Sequence, residues 1–326
     1  MTILDARALP AWAAAAWSAG YGALAVTWWA EGGDYPFARV DDAHSSQSLL
    51  EGTAPAVVAP IMALVCLAAT LLGVYLARGG RARAALAFGW TLAAVLALLL
   101  PDYSLLAFVA FAPLLLVFAF TGVPGPQDGL GDIMYWHRTN LLILFAGGLL
   151  WAAATLRSSR RAVASTTPPE TLLRWGRRAV WVAVLAPVPY EVTRIAWFLG
   201  VPLGIPRDFL TMMQSTPGML EVGLGCAVAS IGGGVLTHGL VRPWGERFPR
   251  WTLWLSGRRV PPLLAVAPAM LVAVVLIPAG LMNARLPITA STWGVTAPGL
   301  LWVVWGAALG TAAVTYHLRR RPRSPS

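Results

Sequence analysis

The chain has 326 residues, of which 57% are hydrophobic and only 12% are charged. An average globular chain is about 25% charged, so this chain lacks the polar residues that would cover a water-facing surface. Its formal charge of +10 comes from arginine, because none of its 24 basic residues is a lysine. The composition excludes an ordinary soluble enzyme and predicts an all-α, polytopic membrane helix bundle.

The positions of the charges exclude two further classes. The arginines stand in short clusters between apolar runs, which is typical of membrane topology and not of a nucleic-acid-binding surface. Both cysteines, Cys66 and Cys226, lie inside apolar runs, so we expect no disulfide framework and no cysteine metal site. The expected partners are membrane lipids and a lipophilic small molecule, with no nucleic acid, metal or cofactor; the sequence sets no oligomeric state.

Apolar runs define the predicted helices, since a spanning helix needs about 20 mostly apolar residues. Nine runs qualify, in chain order 11–30, 54–77, 84–100, 105–123, 139–156, 179–201, 219–240, 263–282 and 299–317. The first follows Asp5 and Arg7 and continues to two tryptophans, which predicts a retained helix and not a secretory signal.

Arginine-rich short loops stay in the cytoplasm, and this rule predicts the topology. The clusters lie in 78–83, 157–178, 242–259 and 319–323, whereas the 31–53 loop is acidic and is predicted to face outward. Both termini are then cytoplasmic in a multi-pass cell-membrane protein. Three apolar runs separate the first two clusters, and an odd number cannot join two cytoplasmic loops. We therefore expect about eight spanning helices plus one re-entrant or ninth segment, either 105–123 or 84–100.

A weak internal repeat divides the predicted single membrane domain, 1–326, into halves at 10–160 and 175–320. Tyr21 precedes Trp28 by seven residues, and Tyr190 precedes Trp197 by the same spacing. The closing runs, 140–151 and 299–306, are also similar. Such repeats occur in transporters, whose substrate sites lie at the repeat interface, but gene duplication alone also produces them.

Ionisable residues inside spanning helices are costly and indicate function. Glu191 and Arg194 share a helix face and can neutralise one another. Tyr190, Arg194 and Trp197 form an aromatic and basic stripe beside Glu191. Two interpretations remain open: an ion pair that holds helices together, or a site in which Arg194 binds a carbonyl end of a substrate.

Two boundary acids are the other catalytic candidates. Glu221 lies in the first turn of its helix, where the helix dipole stabilises a carboxylate. Asp102 lies at the break between two runs, either as a helix cap or at the mouth of a cavity. Other acids and histidines occur at Asp41, Asp42, His44, Asp128, Asp132 and His137. Their spacing fits no metal motif, and we interpret them as solvated loops.

Sixteen tryptophans exceed ordinary usage, and many fit interfacial belts. Four lie deeper in the predicted helices, namely Trp90, Trp197, Trp302 and Trp305. The predicted substrate-binding residues are Arg194, Tyr190, Trp197, Tyr21, Trp28 and Trp90. The segment from Trp244 to Pro262 alternates arginines with aromatics, which predicts an interfacial helix on anionic lipid.

Three motifs carry a resemblance over most of the chain: Gly20-Tyr21-Gly22 through Trp28 to Phe37, Tyr190 through Trp197 to Gly204, and the 244–261 segment. The chain resembles a broad family of actinobacterial integral membrane proteins. It is similar also to the membrane-bound terpene cyclases of drimentine-type indole sesquiterpene pathways, in secondary-metabolite biosynthesis. No known catalytic residue maps from this resemblance.

The resemblance implies a class II cyclisation, an isomerase or lyase reaction in which an acid protonates the terminal alkene of a prenyl chain. That chemistry needs a buried, protonated carboxyl in an apolar cavity. A cationic neighbour favours the ionised carboxylate, so Arg194 argues against Glu191 and for Glu221 or Asp102 as the acid. The alternatives are a small-molecule transporter or exporter and a non-catalytic membrane protein.

Overall fold

The structure, a computed structural model, describes residues 8–39, 48–121, 135–159, 168–248 and 256–320. It divides into two compact units, Met1–Ala164 and Ser165–Ser326. Each of the nine predicted apolar runs contains helix, and the described ranges hold no strand beyond one isolated antiparallel pair, Arg247 with Arg259. The prediction of an all-α chain is confirmed, whereas the single domain with repeated halves stays a prediction.

The first unit is built from five helices within its described ranges. They are α1 (Leu9–Glu31), α2 (Pro55–Ala77), α3 (Arg83–Ala94, continued by a wider π-helical turn over Val95–Leu99), α4 (Ser104–Thr121) and α5 (Trp136–Ser159). α1 packs on α2 and α5, and α3 packs on α5.

The second unit holds six helices in its described ranges. They are α6 (Pro169–Leu185), α7 (Val188–Phe198), α8 (Arg207–Ser215), α9 (Met219–His238), α10 (Pro262–Asn283) and α11 (Trp293–Arg319). α7 follows α6 after only two residues, and α6 with α7 packs on α9 and α11, while α10 packs on α11. The sequence predicted neither the short α8 nor the early start of α6.

Membrane spanning is supported by length and apolarity. Among the described residues, six helices are long and apolar enough to cross a bilayer: α2, α5, the 30-residue pair α6–α7, α9, α10 and α11. The pair α3–α4, bent by 71°, makes a seventh if it crosses once. α1, rich in Ala and Trp, has 23 residues but is not among them. The chain is therefore a multi-pass membrane protein by these criteria.

A polar break separates α3 from α4 at Leu100-Pro101-Asp102-Tyr103. Asp102 is fully buried, and its Oδ1 accepts a hydrogen bond of 2.8 Å from the backbone N–H of Ser104. Ser48 Oγ donates to the carbonyl of Leu100 at 2.8 Å. Pro101 has no N–H to continue the helix. Asp102 therefore caps the start of α4, which was one of the two interpretations of this residue.

Glycines allow the helices of each unit to approach closely, as is common in membranes. A methyl group on Gly148 of α5 would lie 2.7 Å from the backbone nitrogen of Ala97 and 3.0 Å from the carbonyl oxygen of Ala93. In the second unit, a methyl group on Gly280 of α10 would lie 2.7 Å from the backbone nitrogen of Val303. These contacts involve backbone, which cannot move aside as a side chain can.

We expect Gly148→Ala to destabilise the protein by about 1–3 kcal/mol, the usual cost of overpacking. Gly225→Ala is the matched control, because no atom lies within 4 Å of the added methyl group and alanine is the better helix former. Thermal unfolding of purified protein in one detergent compares the two variants. Equal melting temperatures would contradict the close packing of α3 on α5.

Candidate functional site

A buried carboxyl lies between α7 and α9 in the second unit. Glu191 has 9% of its surface exposed, and its Oε1 accepts a hydrogen bond of 2.7 Å from Ser230 Oγ. Ser230 is itself buried on α9. The two residues meet because α7 and α9 pack side by side. The carboxyl therefore has one neutral donor and an otherwise buried setting.

Arg194 does not neutralise Glu191, and the expected ion pair is wrong. Within the described ranges, ion pairs of 4 Å or less join only Glu246 with Arg319 and Arg320. The guanidinium carbon of Arg194 instead lies 4.6 Å from the centre of the Tyr190 ring and 4.2 Å from that of Trp197. A guanidinium is weakly hydrated and stacks well on aromatic faces, and both rings lie on neighbouring turns of the same helix.

Two buried N–H donors flank Tyr190. Among the residues that the structure describes, Arg194 Nη1 has no hydrogen-bond partner, and neither has Trp302 Nε1 on α11. The Trp302 ring contacts the Tyr190 ring edge to face, with centroids 5.6 Å apart. Gly223 on α9 leaves room for the Arg194 side chain, since an added methyl group would lie 3.5 Å from Arg194 Cδ. An acceptor oxygen beside Tyr190 could satisfy both donors.

An apolar cleft of about 430 Å³ opens between α9, α10, α11 and the loop after α9. Its walls include Gly233, Leu240, Trp244, Phe248, Pro268 and Trp305. Gly233 is three residues after Ser230, and Trp305 is three residues after Trp302. One helical turn is 3.6 residues, so the cleft begins about one turn from the carboxyl and from the unpaired indole N–H.

The end of α11 holds the loop that walls this cleft. Tyr316 donates its hydroxyl to the carbonyl of Gly245 at 2.7 Å, and Arg319 Nη2 donates to the carbonyl of Leu240 at 2.6 Å. Arg320 Nη2 donates to the carbonyl of Val260 at 2.8 Å. Glu246 accepts ion-pair contacts from both arginines at 3.4 and 3.6 Å. Arg319 and Arg320, which the sequence predicts to lie in the cytoplasm, therefore hold the loop that forms one wall of the cleft.

The interfacial helix expected from Trp244 to Pro262 is wrong for the residues described there. After a single 3₁₀ turn, Pro243–Gly245, the chain pairs with itself: Phe248 N–H donates to the carbonyl of Arg258 and Val260 N–H to that of Glu246. These cross-links use backbone groups that a helix would bond internally. The intervening residues 249–255 lie outside the described ranges.

The predicted binding residues of the first unit belong to its packed core. Tyr21 and Trp28 are each 4% exposed, and the Tyr21 hydroxyl donates to Asn140 Oδ1 at 2.9 Å. The Trp28 ring contacts both Tyr21 and Tyr35 edge to face. Burial raises the pKa of Tyr35, so its hydroxyl stays neutral and shares a hydrogen bond with Thr53. Trp90, in contrast, is 45% exposed on α3.

The other two acid candidates are Asp102 and Glu221. Asp102 belongs to the first unit, and Glu221 is exposed at the start of α9. No group of three metal-ligating residues occurs in the described ranges, and Asp41, Asp42, His44, Asp128 and Asp132 lie outside them. Cys66 and Cys226 are free thiols in different units.

Sequence reasoning missed the partners that α9 contributes. Gly223, Cys226 and Ser230 lie at positions i, i+3 and i+7, which places them on one helix face. A face of such small residues in an apolar helix indicates close packing, and that signal could have identified α9 as the neighbour of Glu191. No comparable sequence pattern indicates the cleft, because its walls come from α9, the loop after α9, α10 and α11 together.

No known protein family, no curated protein and no solved structure matches this chain. The resemblance to actinobacterial membrane proteins and to terpene cyclases therefore stays a prediction.

The hydrogen bonds from α11 to the loop predict a protease-sensitive variant. Charge-assisted hydrogen bonds contribute about 1.5–3 kcal/mol each, so Arg319→Gln with Arg320→Gln should speed tryptic cleavage within 242–259 at least tenfold. Arg178→Gln is the control, since Arg178 lies exposed over Trp175 on α6. Peptides identified by mass spectrometry report the rate. Cleavage at the wild-type rate in the double variant would show that these bonds do not hold the loop.

Proposed function

We propose that the chain crosses the membrane eight times, with both termini in the cytoplasm. If the bent pair α3–α4 counts as one crossing and α1 spans, then every arginine cluster falls on the same side. The 71° bend and the capped break at Asp102 support a single interrupted crossing over two separate ones. This topology places the apolar cleft near the cytoplasmic surface.

We further propose that the second unit binds a lipophilic prenylated molecule and cyclises it by protonating its terminal alkene. One observation carries this proposal: Glu191 is buried, bonded to Ser230 and not paired with Arg194, about one helical turn from an apolar cleft. The sequence argued against Glu191 as the acid because Arg194 was expected to pair with it. Within the described ranges the two residues form no ion pair.

The reaction conserves atoms and charge. Glu191 gives a proton to the terminal alkene carbon, and the next alkene attacks the resulting cation as carbon–carbon bonds form. A carbon beside the last cation then loses a proton to solvent water and gains a double bond, and the Glu191 carboxylate takes up a proton from solvent. The product is an isomer of the substrate. Aromatic faces stabilise cations, and Trp302 and Trp305 lie on consecutive turns of α11 between Tyr190 and the cleft. Glu221 is exposed and Asp102 caps α4, so both have less support as the acid.

Membranes containing the protein should convert a farnesylated indole into a cyclised isomer. In heavy water the product should gain one mass unit, because the proton comes from an exchangeable carboxyl. General acid catalysis contributes about 10²–10⁴-fold, so Glu191→Gln should lose at least a hundredfold in rate. Chromatography with mass spectrometry measures product and deuterium content.

Glu221→Gln is the matched control, since it makes the same change at the exposed acid of α9. Full activity in Glu221→Gln with loss in Glu191→Gln supports the assignment. Full activity in Glu191→Gln, or product without deuterium, would exclude Glu191 as the proton donor.

We propose transport as the second candidate function, because the order of helix packing recurs in the two units. In each, the first span packs on the second and on the last, and the helix before the last packs on the last. Repeated units of this kind are typical of transporters. The recurrence supports transport without distinguishing it from gene duplication.

For transport we expect proteoliposomes to move a farnesylated indole across the bilayer with no change in its structure. Glu191→Gln should slow the flux, because Glu191 is the buried acid of the second unit. The amount and the structure of the compound in each compartment decide between the two functions. Flux equal to that of protein-free liposomes would exclude transport of this compound.

A further inference from the structure

Arg194 is a guanidinium with no acidic side chain within 4 Å among the described residues. It is half-buried, stacked between two aromatic rings, and its Nη1 is buried without an acceptor. An uncompensated buried charge is strongly unfavourable, and buried donors nearly always have partners. Three other arginines that stack on aromatic rings differ, because Arg319 and Arg320 contact Glu246 and Arg178 is exposed.

A second buried donor belongs to a side chain that contacts the same residue. Among the described residues Trp302 Nε1 has no hydrogen-bond partner, and the Trp302 ring contacts the Tyr190 ring, which Arg194 also adjoins. These two donors come from α7 and α11, which pack in the same unit. One is cationic and the other neutral, and together they match the two oxygens of a single carboxylate.

We infer that Arg194 and Trp302 form a subsite for a carboxylate carried by a lipophilic molecule. A neutral carbonyl would leave the guanidinium charge unbalanced, and a phosphate would bring more acceptor oxygens than the two open donors satisfy. The apolar tail of such a molecule would extend along α11 from Trp302 past Trp305 into the cleft, about one turn away. The inference builds on the proposed lipophilic ligand but requires no chemical reaction.

Radiolabelled palmitic acid tests this subsite by equilibrium binding to purified protein in a non-ionic detergent. Unlabelled palmitic acid should displace the label, whereas methyl palmitate and hexadecylamine, with the same chain length, should not. A hydrogen bond to a charged group corresponds to at least about tenfold in affinity, so Arg194→Gln should weaken binding by that factor or more. Trp302→Phe keeps the ring contact with Tyr190 and should weaken binding about two- to tenfold.

Arg178→Gln and Trp181→Phe are the matched controls, because both residues are exposed in the same unit and should leave palmitate binding unchanged. Equal displacement by methyl palmitate, or wild-type affinity in both Arg194→Gln and Trp302→Phe, would overturn the subsite. Glu191→Gln should still bind palmitate. A protein that binds palmitate but cyclises nothing would refute the proposed reaction while supporting the subsite.

Discussion

Hydrogen-bond satisfaction in apolar surroundings is the constraint on which this structure depends. Without water, polar groups inside a membrane helix bundle must find partners within the protein. In the first unit many do: Trp151 Nε1 donates to Ser18 Oγ, which donates to the carbonyl of Ala14, and Tyr21 donates to Asn140. These bonds join α1 to α5 at fixed heights, so they determine the register in which glycines and alanines then pack. Among the described residues, Asp102 Oδ2, Asn140 Nδ2 and Thr155 Oγ1 are buried without a partner.

In the second unit some buried polar groups have no hydrogen-bond partner among the described residues. Glu191 has Ser230, but among the described residues Arg194 Nη1 and Trp302 Nε1 have no acceptor, and both side chains adjoin Tyr190. A buried donor without a partner costs about 1–3 kcal/mol. Unpartnered polar atoms occur in both units, so the feature that marks this region is that two such donors share one aromatic neighbour.

The sequence predicts the helices well because their signal is local. All nine apolar runs contain helix, with bounds shifted by a few residues except where α6 begins at Pro169, before the apolar stretch that starts at Ala179. Side-chain partners were less predictable, because they depend on rotamers and on which helices adjoin. Spacing predicted Glu191 and Arg194 on one face, yet Glu191 accepts a hydrogen bond from Ser230 and Arg194 stacks on Trp197. The cleft is formed where α9, the loop after it, α10 and α11 meet, and no local sequence pattern predicts that meeting.

The tyrosine–tryptophan stripes of the two units differ at the position four residues after the tyrosine. Tyr21 and Trp28 have the spacing of Tyr190 and Trp197, but Ala25 stands where the second stripe has Arg194. Ala25 is fully buried and Tyr21 is bonded to Asn140, so the first stripe is closed core. In the second, the arginine occupies the space between the rings. Arginine in place of alanine at this register thus distinguishes a stripe that is closed core from one whose charge has no acidic partner within 4 Å among the described residues.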